Sequence, residues 1–599
     1  MCVRLSREKI SSFVGDVLPL ELLGVSRNAE VCWSVTGAAA AIRTFTRDGI
    51  HSAKHAVLVT LVGVGDATIT AEYKGVSYTA QVSARAMKHA APDAEFGYYF
   101  GDMHDHTSMN HNTEEFATHK DGRIEDYLDF IESEGRLDFG VISDHAGVTN
   151  DYDFYRGFAL TRDAPDSDDG VIVFAGAESE ITYTELDRLG VLHRLSGEIV
   201  TINSAGYSDV KSWNDFYRDM EYSPRAIAIF AHPHVVGFST NGIWNFDFKR
   251  NNTPRMLELM RGIEMGNGED RKENLLHEYA YSAALDAGFR LSTTCASDSH
   301  GPIWGYGVMP GKTVIMATER SREAFLDALI SNRFYATESG NVKLSYTVNG
   351  KPAPADLDIT DSYSFKVSIS TFENIDGTHP KKLEVISDYG KSVLLLDVCG
   401  RCEIDFTVTS STARYFYLRL VDREGRKTWS MPVFCGREYD KYAEPDISPI
   451  DMSRAVATAD GIVAPTVING DPFDSWCGEK CYATVDIDLG EPHEVSAVGY
   501  YPHIVLRGKD KGPDWTTSME SAGLVSRYRI SASTDGIDYT ECASGKCQTL
   551  GSENIIIFEK RAARYIRFEV LATVGSDSGL DKYKASPVKI GNLAVFAPK

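Results

Sequence analysis

The sequence predicts a multidomain protein in which a β/α barrel is flanked by β-sandwich modules. A chain of 599 residues is too long for one hydrophobic core, so we expect about three to five domains. Strand-like alternation fills residues 1–90 and 341–599, whereas residues 96–340 alternate between strand and helix patterns. In that middle part, six short apolar runs each end on metal-binding or polar residues, as the parallel strands of a barrel do at their carboxyl ends.

Residues 1–90 are predicted to form a small β-sandwich. Alternating or apolar runs at 31–35, 56–61, 67–73 and 76–82 have the length and composition of its strands. The segment resembles a bacterial immunoglobulin-like module, which implies the role of a spacer. Residues 88–95 are predicted to be a linker.

The six apolar runs define the predicted barrel, 96–340. They end, in chain order, on His104 and His106, His145, Glu178, His232 and His234, Asn267, and Asp298 and His300. Between them, helical spacing of apolar residues predicts helices at 124–131, at 275–285 before Gly288, and after Ser321. The helices are expected to pack outside the strands.

The remaining chain is predicted to be β-rich. Residues 341–440 form a second sandwich, with strands at 364–370 and 415–421, and residues 446–599 form a last module. Three close cysteine pairs, 399/402, 477/481 and 542/547, are expected to be structural thiols or local disulfides, because no βαβ pattern accompanies them.

Charge and hydropathy exclude some functions. The formal net charge of −24 disfavours binding to nucleic acid, and no apolar run approaches the length of a membrane span. The first residues lack the pattern of a signal peptide. This is compatible with a cytoplasmic protein, or with a secreted or cell-surface protein whose signal has been removed. Oligomeric state is not predicted.

The histidines indicate a polynuclear metal site. Ten of the sixteen lie between residues 104 and 300. Alternate residues at a strand end point to one side, so His104 with His106, and Asp298 with His300, can converge on metals. Glu178 is the candidate bridge, because a carboxylate has two oxygens. Metals held close together can position and activate a water, which predicts an enzyme.

Five motifs in order resemble the PHP (polymerase and histidinol phosphatase) superfamily. They are His104-x-His106-Thr107, Ser143-Asp144-His145, Gly176-Ala177-Glu178, Ala231-His232-Pro233 and Ser297-Asp298-Ser299-His300. The lead-in Tyr99-Phe100-Gly101-Asp102 is most similar to the bacterial DUF3604-like branch. The resemblance implies a distorted seven-stranded β/α barrel holding two or three metals, usually zinc, manganese or iron.

Site residues follow from this resemblance by position. It implies that His104, His106, Glu178 and Asp298 hold a first metal, that Glu178, His193 and His232 hold a second, and that His145 and His300 hold a third with His111 or His119. Asp144 is a ligand or a carboxylate that orients a histidine. Glu178, Asp298 and His234 are the candidate catalytic residues, with His234 either a substrate contact or an orienting partner.

Two further residues are candidate substrate contacts. Arg194 is a possible phosphate clamp, although an ordinary surface arginine is the alternative. Asn267, like Glu264, ends a strand in the layer of the ligands, and a solvent-facing role is equally open.

The last 150 or so residues resemble an F5/8 type C (discoidin-like) module, similar to family 32 carbohydrate-binding modules. The motifs are Asn469–Trp476, Ala483–Gly490, Tyr528–Gly536 and Ala563–Phe568. The resemblance implies an eight-stranded jelly roll and a structural calcium near Asp471, although Asn592 replaces the usual acidic residue. Candidate sugar contacts are Tyr501, His503, Arg507 and Trp515.

The sequence therefore predicts a metal-dependent phosphoesterase acting on a phosphorylated glycan or glycoconjugate through a metal-activated water. One alternative is a deacetylase or other amide or ester hydrolase that acts on a sugar through the same site. Another is a carbohydrate-binding adhesin without catalysis.

Overall fold

The computed structural model describes most of the chain, and the description below is limited to that part: residues 2–45, 52–107, 124–133, 137–147, 149–163, 170–188, 190, 192–207, 212–221, 223–233, 248–249, 251–268, 277–300, 304, 311–371, 379–439, 445–472, 474–503, 505–507, 516–518, 521–547, 553–577 and 583–599. The fold is mostly β-sheet, with several sheets and separate hydrophobic cores, which confirms a multidomain protein.

The N-terminal segment consists of two four-stranded sheets that enclose one core. Their orders are β1-β3-β6-β5 and β2-β8-β7-β4. Leu20 and Val59 of one sheet are buried with Ile69 and Val82 of the other, as the alternating pattern predicts. The strands are β1 (Arg4–Leu5), β2 (Lys9–Phe13), β3 (Val17–Leu23), β4 (Cys32–Thr36), β5 (Ala40–Thr44), β6 (Ala56–Leu61), β7 (Gly65–Tyr73) and β8 (Val76–Arg85).

Each of the six apolar runs of the central segment forms a strand. The described strands of the central segment, six of which come from these runs, are β9 (Gly97–Asp105), β10 (Phe139–Ile142), β11 (Ile172–Leu186), β12 (Leu192–Ile202), β13 (Ile227–Phe230), β14 (Met260–Asn267), β15 (Ser292–Ala296), β16 (Lys312–Ala317) and β17 (Phe334–Thr337). Strands β9, β10, β11, β13, β14 and β15 all run in one direction, and β12 is antiparallel between β11 and β13. The short strands β10 and β13 are buried throughout, which explains their unbroken apolar sequence.

Helices connect these strands. They are α1 (Ile124–Ser133), α2 (Asp151–Asp163), α3 (Trp213–Met220), α4 (Pro254–Leu259), α5 (His277–Asp286) and α6 (Arg322–Ile330). The three helices predicted by spacing are α1, α5 and α6. Ser321 begins α6 as predicted, because its Oγ accepts from the backbone N–H of Ala324. Gly288, with φ of 91°, follows the end of α5.

Residues 341–440 do not form a self-contained sandwich. Strand β17 pairs with β26, so the central sheet continues through the order β16-β17-β26-β25-β22-β23, while β19-β18-β21-β24 form a second sheet. The reason is that β17 would otherwise present unpaired backbone groups at an edge. The strands are β18 (Val342–Val348), β19 (Lys351–Pro352), β20 (Ala355–Asp356), β21 (Ser362–Thr371), β22 (Lys382–Ser387), β23 (Lys391–Asp397), β24 (Glu403–Thr409), β25 (Tyr415–Val421), β26 (Lys427–Trp429) and β27 (Val433–Phe434).

The C-terminal segment has one eight-stranded sheet with the order β28-β39-β32-β37-β35-β36, to which β29 and β30 attach, and its own core around Val485, Ile530 and Phe568. Its elements are β28 (Ile447–Pro449), β29 (Val456–Ala459), β30 (Ile462–Val463), β31 (Trp476–Cys477), β32 (Ala483–Tyr501), β33 (Val505–Arg507), β34 (Thr516–Ser518), β35 (Val525–Ser533), β36 (Thr540–Lys546), β37 (Asn554–Thr573), α7 (Val574–Asp577), β38 (Lys589–Ile590) and β39 (Asn592–Pro598).

All ten cysteines are free thiols, so the three close pairs are not disulfides in this structure. Among the described residues, no helix has both the length and the apolar character needed to cross a membrane.

Candidate metal centre

The parallel strands bring the predicted ligands together at their carboxyl ends. His104 and His106 leave β9, His145 follows β10, Glu178 lies within β11, His232 follows β13, and Asp298 and His300 follow β15. The segment after β15 binds back to β9: Asp298 N–H donates to His104 O at 2.9 Å, and His106 N–H donates to Ser299 O at 3.2 Å. The first and last strands of the series therefore meet at the site.

Glu178 lies at the centre of the cluster and is buried. Its Oε1 is 3.0 Å from His232 Nε2 and 3.2 Å from His104 Nε2. Its Oε2 is 2.9 Å from His145 Nδ1 and 3.4 Å from His106 Nε2. Each carboxylate oxygen thus faces a different pair of imidazole rings, which is the geometry that a bridging ligand requires.

Asp298 faces two of the four histidines that surround Glu178. Its Oδ1 is 2.9 Å from His106 Nε2 and 3.5 Å from His104 Nε2. The backbone φ of Asp298 is 48°, and that of His232 is 24°, both unusual for residues other than glycine. Such conformations are found where surrounding contacts hold a side chain in a functional position.

Glu264 determines which nitrogen of His104 points into the cluster. Its Oε1 is 2.8 Å from His104 Nδ1, and its Oε2 accepts from the backbone N–H of His232 and from Asn267 Nδ2. With Nδ1 engaged, His104 presents Nε2 to Glu178 and Asp298. Carboxylates commonly orient metal-binding histidines in this way. Asn267, a predicted substrate contact, here holds Glu264.

Asp144 was predicted as a ligand or an orienting carboxylate, and the structure places it against Thr107. Both of its oxygens accept from Thr107, from the backbone N–H at 2.7 Å and from Oγ1 at 2.8 Å. Asp144 therefore fixes the chain directly after His106, because a backbone group and a side chain of one residue are held together.

A second pair of buried acids supports the same region. Asp105 accepts from Tyr127 OH and Ser297 Oγ, and Asp102 accepts from the backbone N–H of His104 and of Ser297. Burial raises the pKa of Asp102 to about 6 and that of Asp105 well above its usual range. Both acids hold the segment that carries Asp298 against β9. No local pattern in the sequence indicates this role.

His145 and His300 form the outer part of the cluster together with His106. The ring of His300 stacks on that of His106 with centroids 4.1 Å apart, and His300 Nε2 is 3.5 Å from His145 Nε2. The ligand atoms of His106, His145 and His300 all lie within 4.8 Å of one another. His111 and His119, the predicted completing ligands, lie outside the described residues.

Glu198 is a member of the cluster that the sequence did not reveal. Its Oε2 is 3.2 Å from His232 Nε2, and its Oε1 is 4.0 Å from His145 Nδ1. It belongs to β12, the antiparallel strand that was absent from the predicted series of parallel strands. The only sequence signal is the position of Glu198 immediately before the apolar Ile199 and Val200.

His193 was predicted where Glu198 now lies. Val200 pairs with Glu178, whereas the backbone of His193 pairs with Glu185, seven residues along the hairpin and roughly 23 Å away at strand spacing. The side chains of His193 and Arg194 are outside the description, but their backbone positions are far from Glu178. His234 lies outside the described residues.

The electrostatics of the cluster favour positive charge. Burial by itself lowers the pKa of His104, but Glu178, Asp298 and Glu264 outweigh it and raise the pKa well above 6.5. Burial also opposes charge on His145 and His232, yet nearby carboxylates raise their pKa to about 9 and about 10. Burial dominates at His106 and lowers its pKa to about 3. The carboxylates therefore attract protons or other cations into a buried space.

The donor set fits divalent metals. Four overlapping groups of three ligand atoms lie within 4.8 Å: His104, His106 and Glu178; His104, His232 and Asp298; His145, Glu178 and Glu198; and His106, His145 and His300. Imidazole nitrogens combined with carboxylate oxygens suit zinc, manganese and iron. With Nδ1 of His104 bonded to Glu264, its Nε2 lone pair faces two carboxylates, an arrangement that a cation between them would stabilise.

The predicted sugar contacts of the C-terminal segment are only partly accessible. Tyr501 is fully buried and cannot stack on a sugar from solvent. The side chain of Arg507 and all of Trp515 lie outside the description. Near the predicted calcium turn, Gly470 N–H donates to Asn592 Oδ1 at 2.9 Å and Asp471 N–H donates to Asn469 Oδ1 at 2.9 Å. Two backbone N–H groups of the turn are therefore bonded to asparagine side chains.

Comparison with known proteins bears on this C-terminal segment. No curated protein sequence matches the chain. Among solved structures, it is similar to CpGH89CBM32-5 from Clostridium perfringens in complex with GalNAc-β-1,3-galactose, with 20% identity over 25% of this chain and 100% of that one and a TM-score of 0.20. It is also similar to the family 32 CBM of C. perfringens NanJ in complex with galactose, with 18% identity, 25% and 98% coverage and a TM-score of 0.20. The model of the F5/8 type C domain matches residues 452–580, so this segment of the chain is an F5/8 type C domain.

Proposed function

We propose that the cluster holds two or three divalent metal ions and that the protein is a metal-dependent phosphoesterase. The observation that carries this proposal is the position of Glu178, whose two oxygens lie within 3.4 Å of four imidazole nitrogens. The ordered resemblance of residues 96–340 to the PHP superfamily supports the same function, and the parallel strands with ligands at their carboxyl ends are compatible with its barrel.

The charge of the site favours an anionic substrate. Glu178, Glu198, Asp298 and Glu264 contribute about four negative charges when ionised, and three divalent ions would carry about six positive ones. A site with three such ions is therefore positive overall and attracts a phosphate group. Divalent ions in such a site lower the pKa of water and neutralise charge on phosphoryl oxygens.

The chain's own residues orient this chemistry. Glu264 holds His104, Asp144 holds Thr107 beside His106, and Asp105 holds Ser297 beside Asp298. The first contact restrains the ring of a proposed ligand, and the other two restrain residues adjacent to proposed ligands. Such restraint reduces the reorganisation needed during reaction. No serine or cysteine nucleophile is required.

A glycan is the proposed setting of the ester. The F5/8 type C domain at 452–580 resembles family 32 carbohydrate-binding modules, and we infer that it binds a sugar. The proposed substrate is accordingly a phosphorylated glycan or glycoconjugate.

The purified full chain should contain metal and should either release phosphate from a phosphomonoester or cleave a phosphodiester to an alcohol and a phosphomonoester. We expect His104→Ala to remove most of both properties, whereas His493→Ala, a histidine of β32 outside the cluster, should leave both unchanged. Release of acetate from acetylated sugars without any phosphate release would favour the deacetylase. Glycan binding that survives Asp298→Ala, with no turnover under any metal, would favour an adhesin.

A further inference from the structure

The F5/8 type C domain contacts the central segment at two separate places. At the first, the tip of the β11–β12 hairpin meets the domain, and Arg188 N–H donates to Glu553 Oε2 at 2.9 Å. Arg188 Nη2 also donates, at 3.4 Å, to Pro445 O in the segment that precedes the domain. Glu553 is buried, with its side chain 1% exposed, and Arg188 Nε is 3.8 Å from its Oε1. Strand β34 also lies beside β12.

The second contact is on α5. Lys546 Nζ lies 4.0 Å from the centre of the Tyr279 ring, and Tyr279 OH donates to the carbonyl oxygen of Cys547. Tyr279 is buried and Lys546 is partly buried. A cation over an aromatic face contributes more when both are removed from water. Two contacts on different elements fix the orientation of the domain, whereas one contact would leave it free to rotate.

The first contact is joined directly to the candidate metal centre. Strand β11 carries Glu178 and continues to Leu186, eight residues further, at the tip where Arg188 lies. At about 3.3 Å per residue, this hairpin extends roughly 26 Å from Glu178 to the domain. The hairpin is thus an arm that links the two sites at a set distance.

We propose that the F5/8 type C domain is a fixed part of the hydrolase and that the β11–β12 arm sets its preference for long substrates. The proposal rests on the function proposed above. A glycan held by the domain and an ester at the cluster then belong to one molecule, and that molecule must be longer than a monosaccharide. Binding of the remote part raises the local concentration of the ester at the cluster.

Docking can be tested without any activity. In the full chain, Glu553→Ala combined with Lys546→Met removes the carboxylate that accepts from Arg188 and the cation over the Tyr279 ring. We expect amide hydrogen exchange of residues 186–192 to rise at least tenfold and calorimetry to resolve a separate transition for residues 446–599. Arg218→Ala, an exposed arginine of α3, is the matched control and should change neither. Unchanged exchange and an unchanged melting profile in the double variant would overturn the fixed docking.

Substrate length is tested by kinetics on p-nitrophenyl phosphate and on phosphomannan. We expect Glu553→Ala with Lys546→Met to leave kcat/KM for the small ester within twofold and to lower kcat/KM for the polymer about tenfold, through KM. Equal losses on both substrates, no loss on either, or a wild-type protein that cleaves only the small ester would overturn the length preference. If the wild-type protein cleaves neither ester, the proposed function fails, while hydrogen exchange still decides the docking.

Discussion

Glu264 Oε1 lies 2.8 Å from His104 Nδ1, with both side chains buried, and this contact makes Nε2 the nitrogen of His104 that faces Glu178. The same carboxylate holds the backbone of His232 through its other oxygen. One residue outside the proposed ligand set therefore orients two of its members.

We expect Glu264→Gln to weaken metal binding 10- to 100-fold, because an amide orients the imidazole less firmly and lowers its basicity. Titration of the metal-free protein with zinc or manganese measures the change. Glu319→Gln, an exposed residue that follows β16, is the control and should bind metal as the wild type does. Wild-type affinity in Glu264→Gln would show that the orientation of His104 does not matter.

Glu198 and His193 offer a direct comparison between the structure and the sequence. Glu198 lies beside His232, whereas the backbone of His193 is seven positions along β12 from the partner of Glu178. We expect Glu198→Gln to lower the metal content of the purified protein and His193→Ala to leave it unchanged. Elemental analysis of the two variants decides, and the reverse result would restore His193 as a ligand.

Gly176 allows β11 and β12 to approach closely just before Glu178. A Cβ at this position would overlap the carbonyl oxygen of Thr201 on the neighbouring strand. We expect Gly176→Ala to destabilise the protein by about 3 kcal/mol, because the backbone of β12 must move. Denaturant unfolding measures the loss. At Gly147 a Cβ meets no atom within 4 Å, so Gly147→Ala should have a stability near that of the wild type.

Stability at low pH should depend on Glu278. Burial by itself raises the pKa of Glu278, but Arg419 and Lys427 outweigh it and lower the pKa to about 2. The unfolded chain takes up a proton near pH 4.5 while the folded protein does not, so the stabilisation is complete above pH 4.5 and is lost as the pH falls toward 2. The loss amounts to about 3 kcal/mol.

The free energy of unfolding at several pH values measures this effect. Glu278→Gln should be less stable than the wild type at pH 7. The difference in the free energy of unfolding between the two proteins should shrink as the pH falls from 4.5 toward 2. Glu384→Gln removes the other acidic partner of Arg419 and should retain the Glu278 contribution. A wild type and Glu278→Gln with parallel pH profiles would contradict the prediction.

Local patterns predicted much of the framework. Six apolar runs became β9, β10, β11, β13, β14 and β15, because a strand buried on both faces leaves an unbroken apolar sequence. The helix after Ser321 followed from capping chemistry that acts over three residues. The parallel direction of these strands then brings His104, Glu178 and Asp298 to one edge, as their positions at strand ends predicted.

Pairing between distant segments could not be predicted in the same way. Strand β12 carries Glu198 into the cluster because it lies antiparallel between β11 and β13, and β17 joins residues 341–440 to the central sheet by pairing with β26. The β12–β13 and β17–β26 pairings are not specified by nearby residues, since a strand can accept many partners with similar backbone hydrogen bonds.

The sequence by itself determined the six apolar strands of the central segment, their ends and the kinds of side chain placed there, because these depend on residues close together in the chain. Only the tertiary structure decided that Glu264 orients His104, that Asp144 holds Thr107, and that Glu198 lies beside His232. Those contacts join residues separated by tens to more than a hundred positions, and their distances depend on how the whole sheet curves and pairs.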